Sequence, residues 1–240
     1  MPCHRNMGTK YSQHGGVVSG LPHSSSGKTT GVLFLDELPE YRRDVLEAMR
    51  QPMEDGFVTI TRANAQSTYP SQFMLVCSMN PCPCGNYGSL TQKCRCSSGE
   101  IRRYLGRISG PLLDRIDMHI EVESIPAERI AQMTPEEPSS AIRARVEAAR
   151  GVQRARYAGR PIACNARLDA RSIADFCHLT QEAQDLLTQA SQTMGLSNRA
   201  FTRVIKVART IADLAGAEEI ALDHIAEAIQ YRALDRKYWG

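Results

Sequence analysis

The residues that most restrict what this chain can fold into are Val32-Leu33-Phe34-Leu35-Asp36-Glu37. Four consecutive apolar residues are too few for a helix face and fit a strand buried on both sides. The segment after them, "PEYRRDVLEAMRQPMEDG", is helix-like, with Val45, Leu46 and Met49 on one face. Strand followed by helix implies an α/β layer. The strand ends in two adjacent carboxylates, and two readings of that pair are open. A buried strand can deliver an Asp to Mg2+ beside a nucleotide while the next Glu orients the attacking water. Alternatively, the two acids only open a helix, where negative charge favours the N-terminal end of the dipole.

Just upstream, Gly27-Lys28-Thr29 has the look of a phosphate-binding loop. Such a loop needs glycine, four residues, Gly-Lys-Ser/Thr, and then a helix whose first N–H groups face the phosphates. Counting back from Gly27, the first glycine's place holds Pro22, and Gly20 is displaced. Thr30-Gly31 and the strand follow instead of a helix, so the match is read as coincidence. Residues 1–30 are rich in Gly, Ser, His and Thr without apolar periodicity and are expected to be mostly unstructured.

Beyond the first helix, "FVTITRA" alternates as a half-exposed hairpin arm would, and "QFMLVCSM" reads as a second buried strand stopping at Asn80-Pro81. "MHIEVES" reads as a third core strand. Ser97 and Glu100 have the spacing of a capping box at the start of a short helix. "MTPEEPSS" is linker-like, and from Ala141 onward the pattern is helical, at about 141–158, 169–177, 180–194, 197–215 and 222–235. Gly195, Ser197 and Gly216 punctuate those helices as caps. The prediction is an α/β domain followed by a small all-helical one, with no internal repeat.

A net charge of +3 is too small to mark a nucleic-acid binder by itself. No apolar run approaches the roughly 20 residues that span a bilayer, and the start of the chain has no apolar export region, so a cytoplasmic protein is expected. Of eight cysteines, Cys82, Cys84, Cys94 and Cys96 form two Cys-x-Cys pairs. Four thiolates can surround Zn2+ and staple a loop that has almost no apolar residues, or they stand as free thiols in a reducing compartment. Cys77 and Cys177 read as core residues. Arg143, Arg145, Arg150, Arg154, Arg156 and Arg160 lie in one helical stretch, open to reading as a phosphate-tracking surface or as a solvated face.

Five segments, "GVLFLDELPE", "MLVCSMNPCPCG", "RISGPLLDRID", "LSNRAFTRVIKVARTIADL" and "AIQYRALDR", follow one another from Gly31 to about Arg236. In that order and spacing they resemble the Mg-chelatase-like AAA+ ATPases of the YifB/ComM type. The resemblance implies an α/β fold: a partial AAA+ P-loop NTPase core with a mostly parallel sheet and hairpin and Cys-rich insertions, then an all-α lid. Its domains would be an unrelated leader (1–30), the partial core (31–135) and the helical lid (136–240). Asp36 and Glu37 would be the Walker B pair, with Asp36 on Mg2+. Asn80 would be the sensor-1 amide at the γ-phosphate, Arg115 the arginine finger and Arg199 the sensor-2 residue. A guanidinium suits both arginine places because its fork meets phosphate oxygens at two points. Plainer readings stand beside these: Arg115 paired with Asp114 or Asp117, and Arg199 on a solvated face with Arg203 and Lys206. The hairpin from Val58 to Phe73 resembles a pore-directed insertion, where Arg62, Asn64 and Gln66 would touch a DNA backbone or simply be solvated.

What the resemblance implies for function is ATP hydrolysis coupled to DNA remodelling or branch migration, linked to DNA uptake and recombination. It would act in a homo-hexameric ring, with ATP and Mg2+ as cofactors, Zn2+ as a further ion and no membrane partner. Two other readings are a chelatase motor that drives Mg2+ into a porphyrin, and a non-catalytic zinc-stapled remnant. The family sets its phosphate-loop strand between the sensor-1 strand and the last strand. Without that strand, backbone groups would be left unpaired and ATP held poorly. The expectation is therefore a truncated or mis-started version of a longer protein.

Overall fold

The structure, a computed structural model, describes residues 17–18, 30–62, 65–89, 92–122 and 136–232. The chain divides into two compact units, Met1–Ile116 and Asp117–Gly240. Gly27, Lys28, Thr29 and Asn64 lie outside the described residues, as does the side chain of Arg62.

In the first unit, β1 (Val17–Val18), β2 (Thr30–Leu35) and β5 (Gln72–Cys77) form a sheet in the order β1-β2-β5. Strands β2 and β5 run parallel, in register from Thr30↔Gln72 to Leu35↔Cys77. The leader, expected to be mostly unstructured, contributes an antiparallel edge where Val17 and Val18 pair with Leu33 and Val32. The predicted helix after β2 arrives as a short 3-10 turn, Leu38–Glu40, then α1 (Arg43–Ala48) and α2 (Arg50–Asp55). Pro52 cannot donate to the carbonyl one turn back, which accounts for the interruption at Met49. Gly56, at φ 74, ends α2 in the left-handed region, as a C-terminal glycine does. The predicted hairpin follows as β3 (Phe57–Arg62) and β4 (Ala65–Pro70), six antiparallel pairs from Phe57↔Pro70 to Arg62↔Ala65. Ser97 caps α3 (Ser98–Leu105) in the predicted box, its hydroxyl accepting from Glu100 N–H while Glu100 returns to Ser97 N–H at 2.8 Å. Ser109 caps α4 (Gly110–Leu113). Leu38, Leu46, Leu105, Ile108, Leu112 and Leu113 are buried in this unit.

Two expectations need correction. Strands β2 and β5 are not buried on both faces: Val32 and Met74 are register partners and both are exposed, Met74 at 65%. An apolar run reports strand formation, whereas coverage depends on the layer packed against it. The third strand is absent from the described part of "MHIEVES", where 118–122 form no strand and Ile120 and Val122 are 67% and 87% exposed. A strand exists only where a ladder partner does. Here His119 N–H donates to the Tyr231 carbonyl at 2.8 Å instead.

The second unit holds the five predicted helices: α5 (Ser139–Arg156), α6 (Ala170–Phe176), α7 (Gln181–Met194), α8 (Asn198–Leu214) and α9 (Leu222–Gln230). Helix α8 is central, with Ala200, Val204, Ile205, Ala208 and Ala212 buried at helical spacing. Gly195, at φ 63, closes α7, and the Ser197 hydroxyl caps α8 by accepting from Ala200 N–H at 3.2 Å. A polar network threads this core. Asp213 accepts from Arg156 at 2.5 and 3.0 Å, from Asn165 at 2.8 Å and from Arg209 at 3.1 Å. Arg209 also donates to the Ala217 and Glu218 carbonyls, each at 2.6 Å. The arginine-rich stretch is therefore divided: Arg156 serves the buried Asp213, Arg145 pairs with Glu137, and Arg143 and Arg154 are exposed.

Candidate functional site

Open α/β sheets bind ligands beyond the carboxyl ends of their parallel strands. At that end of the β2–β5 pair, Asp36 follows Leu35, and Ser78 follows its register partner Cys77. The Ser78 hydroxyl donates to Asp36 Oδ1, which also accepts from Glu37 N–H at 3.1 Å. Two backbone bonds brace the junction: Ser78 N–H to the Leu35 carbonyl at 3.0 Å and Leu38 N–H to the Ser78 carbonyl at 2.9 Å. Between these braces Glu37 adopts φ 52 and ψ 51, the one positive φ outside glycine among the described residues. That conformation costs an L-residue about 1–2 kcal/mol, and such strain clusters at functional sites. Leu38, 2% exposed, anchors the turn immediately after it.

Asn80 is exposed two residues beyond Ser78. Its backbone hydrogen-bonds to Tyr104 of α3, and its Oδ1 faces Gly85, where a Cβ would lie 3.8 Å away. Burial raises the Tyr104 hydroxyl pKa against that backbone bond, and Glu40, Glu37 and Cys82 push it the same way. Arg107 donates to the Pro39 carbonyl at 3.0 Å and to Glu40 at 2.9 Å. Tyr104, Arg103, Arg107, Glu40, Glu100 and Pro83 line a hollow of 190 Å³ beside this group. The structure thus sets Asp36, Glu37 and Asn80 at one end of the paired strands.

The arginines fare differently. Arg115 is buried, donates to the Pro111 carbonyl at 2.6 Å and pairs with Glu54, a partner that sequence reading did not name. Asp117 pairs with Arg203. Arg199 is exposed in the first turn of α8, where a cation opposes the helix dipole. Lys206 does not share a freely solvated face with it: burial lowers its pKa first, Arg203 adds to that, and Nζ donates to the Ala166 carbonyl at 3.3 Å.

The four cysteines converge. Cys82, Cys84, Cys94 and Cys96 bring their Sγ atoms within 4.8 Å of one another, with separations of 3.4 Å (82–84), 3.7 Å (82–94) and 3.6 Å (84–94). A tetrahedral ion with Zn–S bonds near 2.3 Å sets thiolates about 3.8 Å apart, so the donor set fits zinc. Backbone hydrogen bonds at Arg95 and Asn86 draw the Cys84 thiol down to about 6. Burial, then the neighbouring Cys84, pushes Cys96 up to about 12. Burial alone lifts Cys77 to about 11, and it is the largest cause of the same rise at Cys177, as for core thiols.

Ser78, Tyr104 and Glu54 were missed by sequence reading. Only Ser78 had a legible signal, since aligning the two apolar runs end to end sets it opposite Asp36.

An α/β unit with an acid pair after β2, followed by a helical unit, is compatible with an AAA+-type domain and its helical partner. Residues 3–130 match the family model for magnesium chelatase, subunit ChlI, and residues 136–232 the model for the ChlI C-terminal region. The first match begins ahead of Gly31, where the likeness carried by the motifs starts. The chain is 44% identical over 223 residues to competence protein ComM of Haemophilus influenzae, covering 92% of this chain and 43% of that protein. It is 42% and 41% identical, at the same coverage, to the uncharacterized YifB proteins of Escherichia coli and Salmonella typhimurium. The chain belongs to the magnesium chelatase ChlI family of AAA+-type proteins, in its YifB/ComM branch. It spans less than half the length of these relatives. Among the described residues, no helix is long and apolar enough to cross a membrane.

Proposed function

We propose that the chain is part of a ring-forming ATPase that couples ATP hydrolysis to the remodelling of DNA. One observation carries this reading: the strained turn that holds Glu37 beside Asp36 at the end of β2, braced to Ser78 at the end of β5. Asp36 would bind Mg2+, Glu37 would orient the attacking water, and Asn80 would hold the γ-phosphate or that water. Arg115 would exchange Glu54 for the nucleotide of a neighbouring copy in a hexamer, offsetting transition-state charge, and Arg199 would act from the helical lid. ATP and Mg2+ are the cofactors of this reading, with Zn2+ as a structural ion at the four thiolates and the cytoplasm as its compartment. The partial core covers residues 31–135 and the lid 136–240. One relative is named a competence protein, which supports DNA uptake as the context. The family's description as a chelatase subunit supports one other reading, a motor that drives Mg2+ into a porphyrin.

The test is ATP hydrolysis by the chain joined behind the remaining part of a relative such as YifB. Glu37→Gln should retain Mg·ATP while hydrolysis falls by about 100-fold or more. Stimulation by DNA supports the first reading, and stimulation only by a porphyrin-binding partner supports the second. Hydrolysis unchanged in Glu37→Gln and Asp36→Ala rejects both.

A further inference from the structure

The loop between β5 and α3 has little to hold it. Among the described residues of 81–96, Cys82 is the only buried one, and it is fully buried. A stretch this polar does not order itself by burying apolar area. Yet both of its ends are fixed. Asn80 is two residues before Cys82, and Cys96 immediately precedes Ser97, the cap of α3. Helix α3 then returns Tyr104 to the Asn80 backbone. The loop also comes back on itself: Gly85 N–H donates to the Cys82 carbonyl at 3.0 Å, which sets Gly85, at φ 79, against Asn80 Oδ1. Asn80 is thus met on its backbone by Tyr104 and on its side chain by Gly85, one on the helix that Cys96 leads into and the other between the cysteine pairs.

We propose that a zinc-class ion held by Cys82, Cys84, Cys94 and Cys96 is the positioning element for Asn80, clamping the end of β5 to the start of α3. The ion draws the two Cys-x-Cys pairs together, the clamp seats α3, and Tyr104 and Gly85 then fix the orientation of Asn80. Metal loading of the loop and ligand binding at the strand ends are then linked, and by thermodynamic necessity each strengthens the other. This link rests on the nucleotide reading of Asn80, whereas the clamp does not.

The experiment uses the 240-residue chain. Metal analysis should return about one zinc per chain, lost in the Cys94→Ser/Cys96→Ser variant and retained in Cys94→His, which keeps a zinc ligand. Stripping the ion with a thiol mercurial and EDTA should speed amide exchange in peptides spanning 72–80 and 98–105 by roughly tenfold or more, with 198–214 unaffected. Cys94→His should exchange like the unaltered chain. Cobalt loading of the chain joined behind the remaining part of a relative such as YifB supplies the separate arm: once Mg·ADP binding is established there, the tetrahedral thiolate bands should shift when Mg·ADP is added, and the shift should vanish in Asn80→Ala. Well under one zinc per chain, or zinc without any change in exchange on stripping, overturns the clamp. The exchange change without a nucleotide-dependent cobalt shift keeps the clamp and removes the nucleotide role of Asn80.

Discussion

The Ser78 hydroxyl donates to Asp36 across the ends of two parallel strands that are 42 residues apart in sequence. The bond lies at the solvent edge, so its value is that of an exposed hydrogen bond to a charged acceptor. Ser78→Ala should cost about 0.5–1.5 kcal/mol in urea unfolding with an unchanged slope. No change would show that Asp36 is held by the Glu37 N–H alone. The same variant should weaken Mg2+ dependence of any nucleotide bound there, because it frees the carboxylate that the strand end presents.

Glu37 stands in the left-handed region, which glycine occupies without penalty. Glu37→Gly should therefore stabilise the first unit by up to about 1 kcal/mol while removing the carboxylate proposed to orient water. A gain in stability with a loss of hydrolysis is the signature of strain kept for function. A loss of stability, measured by chemical denaturation, would mean that interactions of the Glu37 side chain outweigh the backbone cost.

How far the fold was legible differs between the two units for a physical reason. In the helical unit the apolar period, the caps at Ser197 and Gly195 and the Gly216 break are local signals, and each helix falls within a few residues of its predicted range. In the α/β unit, apolar runs located β2 and β5 but not their exposure, because coverage comes from residues remote in sequence. The same run-based reading made a strand of "MHIEVES", whose described part has no ladder partner. The acid pair and the cysteines stand out as motifs, one directly after an apolar strand and the others in tight spacing, whereas β5 ends at Cys77, three residues short of the predicted stop at Asn80. Ion-pair partners were not legible: nothing local tells Arg115 that Glu54, 61 residues earlier, will meet it.

The contacts Arg115 makes in this unit can be separated from the role proposed for it at a neighbouring nucleotide. The Arg115 side chain is 6% exposed and that of Glu54 is 40% exposed, so removing the guanidinium leaves a carboxylate that water can reach. Arg115→Met should then cost about 1–3 kcal/mol, chiefly from the lost Pro111 carbonyl bond and packing. Glu54→Gln, which keeps a neutral acceptor, should cost about 1 kcal/mol or less. Thermal unfolding measures both. If Arg115→Met is neutral in the isolated chain, the arginine contributes nothing to this unit's fold and its burial against Glu54 is a resting position.

Asp213 carries the sharpest pH prediction. Burial alone would raise its pKa, but hydrogen bonds from Arg156 and Asn165, with the charges of Arg156 and Arg209, outweigh that and lower it. A carboxyl depressed on folding contributes stability that is fully present above its unfolded value, about 3.9, and is lost as pH falls through the lower folded value. Asp213→Ala leaves Arg156 and Arg209 facing a void where their shared acceptor was, and at neutral pH it should cost about 3–5 kcal/mol. The gap between the unaltered chain and the variant should stay constant from pH 7 down to about 4 and narrow below it, as protonation removes the same charge from the unaltered protein. Circular dichroism of the helical unit during urea unfolding, repeated from pH 7 to 2.5, measures that gap. A gap that widens on acidification would mean that Asp213 is protonated in the folded state and that the two arginines are held by the Ala217 and Glu218 carbonyls and by Tyr157 instead.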